Sequence, residues 1–391
     1  MSGPLEGIRV FDLTLAMVGP FATAQLGALG ADVIHVEAPE EAGVRRTTVP
    51  PSIKGTSIGY INWNMNKRGI LLDLKQESDR DVAYRLLKTC DVFVENMRPG
   101  VVERLGMGYE KVSAINPRVI YISSSGWGDE GPMVGSPAAD GIVQVFGGWS
   151  SINGPVGGPP EVYRHSTQND SNTSNYIVQS VLLALLARDK NGRGQLVKTT
   201  MLGAIIALQT SRIAEYFATG KTPEPLGSAD SRTVPHQAFL CEDKTWVAVG
   251  VVKEEQWQPL CQVLQLQDLA DDARFRTNRD RVAHRDELVP LLERTFATKP
   301  RYHWVEELNE AGVPAAKFME WDEIRFHPQV TQNDHVIQVP TRAWGTVYWG
   351  GPPYHFSRTP ARVFSAPEPG EHTQEVLAEL GVASTSGVQP E

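Results

Sequence analysis

Two hydrophobic periods alternate along the first 125 residues. IRVFDL (8–13) is a short apolar run, followed by Gly19-Pro20 and the small-residue segment FATAQLGALG that closes at Gly30. DVIHVE (32–37) is the next apolar run. Strand, helix and strand within about 30 residues form one crossover unit, with parallel strands and a right-handed connection. The pattern recurs. ESDRDVAYRLLKTC carries Val82, Leu86 and Cys90 at helical spacing, and DVFVEN follows as a strand. A short helix is expected near 101–105, and RVIYISSSGWG reads as another strand. This alternation predicts an α/β fold built on a large, Rossmann-like, doubly wound domain.

Residues 126–160 interrupt the pattern. They are rich in Gly and Pro and predict a long ordered loop, the kind of segment that lines functional sites. The polar run QNDSNTSN (168–175) leads into a helix predicted from Tyr176 to Arg188 and stopped at Asn191-Gly192. QLVKTTM then reads as a strand and the apolar stretch from Leu202 as a helix. Residues 217–234 are polar, contain prolines and read as a linker. A smaller α+β domain is expected over 235–330. It opens with the hairpin pattern HQAFLCEDKTWVAVGVV, turning at Glu242-Asp243, and continues with helices near 257–264, 286–296 and 304–311. Residues 331–391 contribute the strands VIQVP and GTVYWGGPPYHFS and a last helix, TQEVLAELG. The expected division is therefore 1–216, a linker 217–234, a small domain 235–330, and a return segment 331–391 that completes the large domain.

Composition narrows the function classes. The 391 residues, 41% hydrophobic and 21% charged, suit a globular protein of two or three domains of ~150 residues each. No apolar run approaches the ~20 residues that span a bilayer. The N-terminus shows no signal-peptide pattern. Cys90, Cys241 and Cys261 stand far apart, without a CxxC pair, which predicts reduced thiols, no zinc and a cytoplasmic location. A net charge of −9 disfavours nucleic acid as a partner. Local basic groups, Arg45-Arg46, Lys67-Arg68 and Lys75, suit a small polyanion such as a phosphorylated cofactor, or ordinary solvated surface.

The familiar motifs are absent. The first strand–helix turn, LAMVGPFATAQLG, lacks GxGxxG, and there is no GxxxxGK[ST] loop and no GxSxG elbow. The nine histidines stand singly, with no ligand-spaced partners, so no metal is expected. Asp170 is then the candidate. Within QNDSNTSN it is the single acidic residue, and two readings stand. Asp170, Ser171 or Thr173 caps the helix that follows. Alternatively, Asp170 is a carboxylate held ionised at a helix start, able to attack an activated acyl group while nearby backbone N–H groups stabilise the oxyanion.

Nearly the whole chain resembles the family III CoA-transferases. The resemblance rests on PLEGIRVFDLT, the Gly19-Pro20 turn, LGALGADVIHVE, NMNKRGILLDLK, VENMRPGVVERLG, INPRVIYISSSGWG, NDSNTSNYIVQSVLLALLARDKNGRGQ, AGVPAAKF and GEHTQEVLAELG. It implies that Asp170 is the nucleophile of a double displacement. An aspartyl anhydride and an aspartyl-CoA thioester form in turn as CoA passes from an acyl-CoA to a small carboxylic acid. It implies no prosthetic group or metal, and two chains interlocked as a homodimer. The positions matching the family's CoA contacts are Met17, Val18, Leu72, Asp73, Leu74, Lys75, Asn96, Met97, Arg98, Arg104 and Asp140, with Arg45 or Arg46 a looser match. Lys75 and Arg104 would meet phosphates as cations. The chain departs from formyl-CoA transferase at Met17-Val18, where that enzyme has Gln-Ala, at Ala139-Asp140, where it has Tyr-Glu, and in having no GGGG run. The related α-methylacyl-CoA racemases share the fold but pair an Asp with a His in a motif this chain lacks; His165 is the nearest histidine in sequence to Asp170. Racemase or epimerase activity, and acyl-CoA binding without chemistry, are the alternatives.

Overall fold

The computed structural model describes residues 3–40, 42, 49–165 and 167–382. Arg45 and Arg46 lie outside the described residues. The chain divides into two compact units, one of residues 1–149, 162–218 and 328–391, the other of residues 150–161 and 219–327.

The first unit is built on a parallel sheet of six strands. These are β1 (Arg9–Leu13), β2 (Asp32–Glu37), β3 (Arg68–Leu71), β4 (Val92–Glu95), β5 (Ile120–Ser125) and β6 (Leu196–Thr200). Their order is β3-β2-β1-β4-β5-β6, so the chain reverses its direction of travel between β1 and β4. In sheets of this order ligands bind at the carboxyl ends of the strands beside that reversal. β3 lies in NMNKRGILLDLK, whose single turn of alternation gave the sequence reading no strand.

Both faces of the sheet are covered. On one, Val10, Val33, Val94 and Ile122 pack against α1 (Val18–Ala28) and the long helix at Gln168–Asn191. On the other, Phe11, Phe93 and Tyr121 form an aromatic row across β1, β4 and β5, with centroids 5.2 and 4.6 Å apart. This row packs with α2 (Glu77–Leu87) and with Val376 and Leu377 of the last helix, Thr373–Glu379. Burial of each such large side chain contributes roughly 1.5–3 kcal/mol. The last helix is also tied down by charge, since Arg68 pairs with Asp32, Glu375 and Glu379.

Three local readings are corrected. Gly19 and Pro20 occupy the first turn of α1 rather than a turn before it, where proline is tolerated because its missing N–H would be unpaired anyway. The loop 126–160 contains a helix, α3 (Asp140–Phe146). The polar run 168–175 is itself helical. α4 spans Gln168–Asn191, eight residues longer at its start than periodicity placed it, and ends at Gly192 with φ 75°, as the Asn-Gly signal implied.

The second unit holds a three-stranded antiparallel sheet, His236–Leu240, Trp246–Gly250 and Ala315–Lys317. The third strand, from AGVPAAKF, extends the expected hairpin. Phe239 stacks on Phe296 at 4.4 Å, and the fully buried Arg281 donates to Val234 and Phe275 carbonyls and pairs with Glu254.

One buried charge cluster sits at the end of β1. Asp12 is fully buried and accepts from Thr14 and Thr23, with Lys67 Nζ at 2.9 Å and His35 Nδ1 at 3.1 Å. Burial alone would raise the Asp12 pKa; Lys67 and His35 overcome it and hold the carboxyl well below its usual range. Removing one member of such a pair leaves an unpaired buried charge. Lys67→Met is therefore expected to cost about 3–5 kcal/mol, read from urea denaturation. A cost under about 1 kcal/mol would show that the pair does not hold β1, β2 and β3 together.

Candidate active site

The site is assembled where β1 and β4 end. Residues 14–17 leave β1 and turn back into α1, and the turn is held from β4: Leu15 N–H donates to Asn96 Oδ1 at 2.7 Å and Asn96 Nδ2 donates to Leu15 O at 2.8 Å. Ala16 takes a left-handed backbone, φ 60°, a costly conformation for a residue with a Cβ. Gly19 is required beside it, because a Cβ there would stand 2.4 Å from Thr14 Cβ. The result places Met17 against the start of α4, where Thr167 Oγ1 lies 2.9 Å from its sulfur.

Asp170 is the third residue of α4. The cap of this helix does not come from the QNDSNTSN run. Asp140, the first residue of α3, accepts from the N–H groups of Asn169 and Asp170 through one oxygen, at 2.9 and 3.0 Å. Its other oxygen accepts from Gln144 Nε2, and Gln144, fully buried, also bonds both polar backbone atoms of Tyr163. The Ser and Thr residues of the run serve elsewhere. Thr173 donates to Asn169 O at 2.7 Å, and Ser174 Oγ lies 2.7 Å from Val18 O. The capping duty expected of Asp170 is thus discharged by a residue 30 positions away, and its side chain is left to face a cavity. The N–H groups of Asn169 and Asp170 are committed to Asp140, so they are not free to hold an oxyanion.

The carboxyl of Asp170 is not held ionised, as its place at a helix start suggested. Burial pushes its pKa up to about 7, and the neighbouring Asp140 carboxylate adds to the shift. Glu95, at the end of β4, is also pushed up to about 7 by burial, although it accepts from Met97 N–H at 2.8 Å.

Two cavities meet at Asp170, with Leu15, Ala16 and Met17 common to both. The first, about 300 Å³, is lined by Asn96, Met97, Arg98, Trp127, Val18 and Asp140 among others. Arg98 is its single basic lining residue among those described, and it is exposed. The second, about 330 Å³, is bounded by Pro20, Tyr60, Trp63, His35, Glu37 and Ser57. Of the expected contact residues, Met17, Val18, Asn96, Met97, Arg98 and Asp140 therefore surround Asp170. Leu72, Asp73, Leu74, Lys75 and Arg104 line neither cavity. Leu72 and Leu74 are buried in the core, Asp73 accepts from Lys75 N–H, and Lys75 and Arg104 are exposed. Trp127 lines the first cavity; Trp149 packs against the core and Tyr163 is exposed. His165 is exposed and lines neither.

Sequence reading missed His35, Glu37, Ser57, Tyr60, Trp63 and Gln144. A signal existed for the first two. Strands of a parallel sheet covered on both faces read as nearly continuous apolar runs. Charged or titratable residues near their carboxyl ends, such as Asp12, His35, Glu37 and Glu95, break that rule.

Residues 5–373 match the sequence profile of CoA-transferase family III. The chain is 33% identical over 380 residues to succinyl-CoA:glutarate CoA-transferase of Mus musculus, covering 96% of this chain and 86% of that one. It is 33% identical over 397 residues to formyl-CoA:oxalate CoA-transferase of Streptomyces coelicolor, covering 97% and 95%. Its fold is similar to the crystal structure of a CAIB/BAIF family protein from Brucella suis, with TM-score 0.86, 30% identity and coverage of 97% and 100%.

The raised pKa carries a stability consequence. The folded-state pKa of Asp170 lies above the ordinary carboxyl value of 3.8, so the folded protein favours the protonated form. Its contribution is fully present below that value and is lost as pH rises through about 7. Asp170→Asn is expected to raise stability at pH 8 on the order of 2 kcal/mol and to leave it nearly unchanged at pH 4. Thermal melts at the two pH values check this, and a destabilised variant at pH 8 would contradict it.

Proposed function

The chain belongs to CoA-transferase family III, and from that premise we propose that it transfers CoA between carboxylic acids through covalent intermediates on Asp170. The observation that supports this reading best is the state of that carboxylate: positioned by a borrowed cap, poorly solvated, with a pKa of about 7, at the wall shared by two cavities. A carboxylate with a raised pKa that is stripped of water is a stronger nucleophile than an exposed one.

The steps are as follows. The ionised Asp170 oxygen attacks the carbonyl carbon of the acyl-CoA; the C–S bond breaks and CoA leaves as thiolate, forming an aspartyl–acyl anhydride. The thiolate attacks the Asp170 carbonyl of that anhydride, releasing the donor acid as carboxylate and leaving an aspartyl-CoA thioester. The acceptor carboxylate attacks this thioester, displacing thiolate and forming a second anhydride. Thiolate attacks the acceptor's acyl carbon, giving the new acyl-CoA and restoring Asp170. No electrons are gained or lost overall, and no prosthetic group enters.

In this reading the cavity at Trp127 and Asn96 takes the pantetheine arm, with Arg98 at its mouth toward the phosphates. Asn96 serves the coenzyme indirectly, by fixing the 14–17 turn, and Asp140 serves by capping α4. Lys75 and Arg104 are exposed cations at the carboxyl edge of the sheet and fit phosphate contacts outside the cavity. The larger layout of the reading is a large α/β domain, a smaller domain and an interlocked homodimer in the cytoplasm. In support of a homodimer, α4 is apolar on two sides. Ile177, Val181 and Leu185 are buried, whereas Leu183 and Leu186 on the opposite side are 66% and 60% exposed.

Two measurements test the proposal. Asp170→Ala is expected to abolish transfer while CoA still binds. Hydroxylamine added to wild-type protein with an acyl-CoA should leave a hydroxamate at Asp170 in peptide mass spectra. Turnover by the variant would contradict the mechanism; α-proton exchange without an adduct would favour a racemase, and neither would favour binding alone. The rate of Asp170 acylation should also rise with pH through a midpoint of about 7 and level off above it, as the carboxyl ionises. A rate flat from pH 5 to pH 9 would show that ionisation of this group does not govern attack.

A further inference from the structure

The acceptor that caps α4 is itself held from behind. Asp140 and Gln144 stand one turn apart on α3, at the i, i+4 spacing that brings two side chains onto the same face. Gln144 is 0% exposed and lines neither cavity at Asp170. Its amide is engaged at both ends. Oε1 accepts from Tyr163 N–H at 3.1 Å, Nε2 donates to Tyr163 O at 2.9 Å, and Nε2 also donates to Asp140 Oδ1.

These bonds fix which end of the amide faces Asp140. The two ends of a glutamine amide have nearly the same shape and opposite hydrogen-bond roles. Tyr163 N–H demands the oxygen and Tyr163 O demands the nitrogen, so turning the amide over would set like groups against each other twice. The second hydrogen of Nε2 is then directed at Asp140, which meets a donor and not an acceptor. Asp140 in turn receives Gln144 on one oxygen and the N–H groups of Asn169 and Asp170 on the other. One buried side chain thus links the first turn of α3, the segment that leads into α4 and, through Asp140, the first turn of α4. That segment lies close on α3: a Cβ on Gly141 would stand 3.0 Å from Val162 Cγ1 and 3.1 Å from Arg164 Nη1.

We propose that Gln144 is a positioning residue for the transfer reaction: it holds the Asp140 carboxylate in the orientation that caps α4, and so sets where the Asp170 carboxyl points, without touching substrate. The inference rests on Asp170 acting as the nucleophile. Without the Gln144 donor the Asp140 carboxylate turns away, the first turn of α4 loses its acceptor, and Asp170 loses both its direction and its like-charge neighbour. The other charged or titratable residues around this pair, among those described, are Arg98 on the first cavity, His35, Glu37 and Tyr60 on the second, and Arg164 over Gly141. Burial and Asp140 are the causes that raise the Asp170 pKa.

The readout is the rate of hydroxamate formation at Asp170 from pH 5 to pH 9. The donor is acetyl-CoA, butyryl-CoA, succinyl-CoA or glutaryl-CoA, whichever the wild-type protein takes fastest. Gln144→Met nearly keeps the volume and removes donor and acceptor. It is expected to slow acylation at pH 8 at least tenfold and to lower the midpoint of the pH profile by about 0.5 or more. A second comparison reverses donor and acceptor. Asp140→Asn alone sets two amide nitrogens against each other, whereas Asp140→Asn with Gln144→Glu lets the amide at 140 donate to the carboxylate at 144 and keep its oxygen for α4. The double variant should react at least fivefold faster than Asp140→Asn. A folded Gln144→Met protein that keeps either the wild-type rate or the wild-type midpoint would overturn the inference and leave Asp170 standing as nucleophile. So would a double variant no faster than Asp140→Asn, whether or not it folds. If Gln144→Met does not fold, this second comparison decides alone. No adduct in the wild-type protein with any of the four donors would defeat the reading of Asp170 and this inference with it.

Discussion

One oxygen of Asp140 receives two backbone N–H groups, those of Asn169 and Asp170, and the site is built on that arrangement. The first turn of any helix leaves donors without partners. Here the helix begins in eight consecutive polar residues, a segment with little intrinsic reason to be helical, and its own N-cap position, Thr167, makes no side-chain cap. The bond from α3 satisfies the helix start and so fixes where the third residue points. It also places a negative charge near Asp170. The same contact that positions the Asp170 carboxyl therefore raises its pKa, and the two effects cannot be separated by moving one atom.

Asp12 and Asp170 show how surroundings decide what a carboxylate does. Both lie within one unit of the fold, Asp12 fully buried and Asp170 half-buried. Asp12 has a lysine, a histidine and two threonine hydroxyls around it, and it stays ionised and inert while binding β1, β2 and the segment before β3 together. Around Asp170 the causes at work are burial and one like charge, Asp140, and its proton affinity rises. The first arrangement contributes to stability; the second costs stability wherever the carboxyl is ionised.

The fold class was legible along the chain because strand and helix periods differ and alternate cleanly from Ile8 to Ser125. The Asn191-Gly192 stop was legible because a left-handed position favours glycine. The start of α4 was not, since polar residues become helical only when a distant acceptor takes their N–H groups. α3 was hidden for a related reason. Its seven residues sit among glycines and prolines, and they matter through Asp140 and Gln144, neither of which repeats with any period. The walls of the second cavity come from residues 14–20, from β2 and from residues 49–64, and no spacing relates them to position 170.

The sequence alone determined the alternating α/β order, the presence of one isolated acidic residue at a helix entrance, and the motifs that carry the family resemblance. These are local properties, written in the succession of neighbouring side chains. Only the tertiary structure decided which group caps that helix, that Asp170 is desolvated rather than held ionised, and that Glu37, Ser57 and Tyr60 share its cavity. Burial and like-charge proximity depend on distances across strands and crossovers. A chain specifies such distances through the whole packed fold and not at any one place along its length.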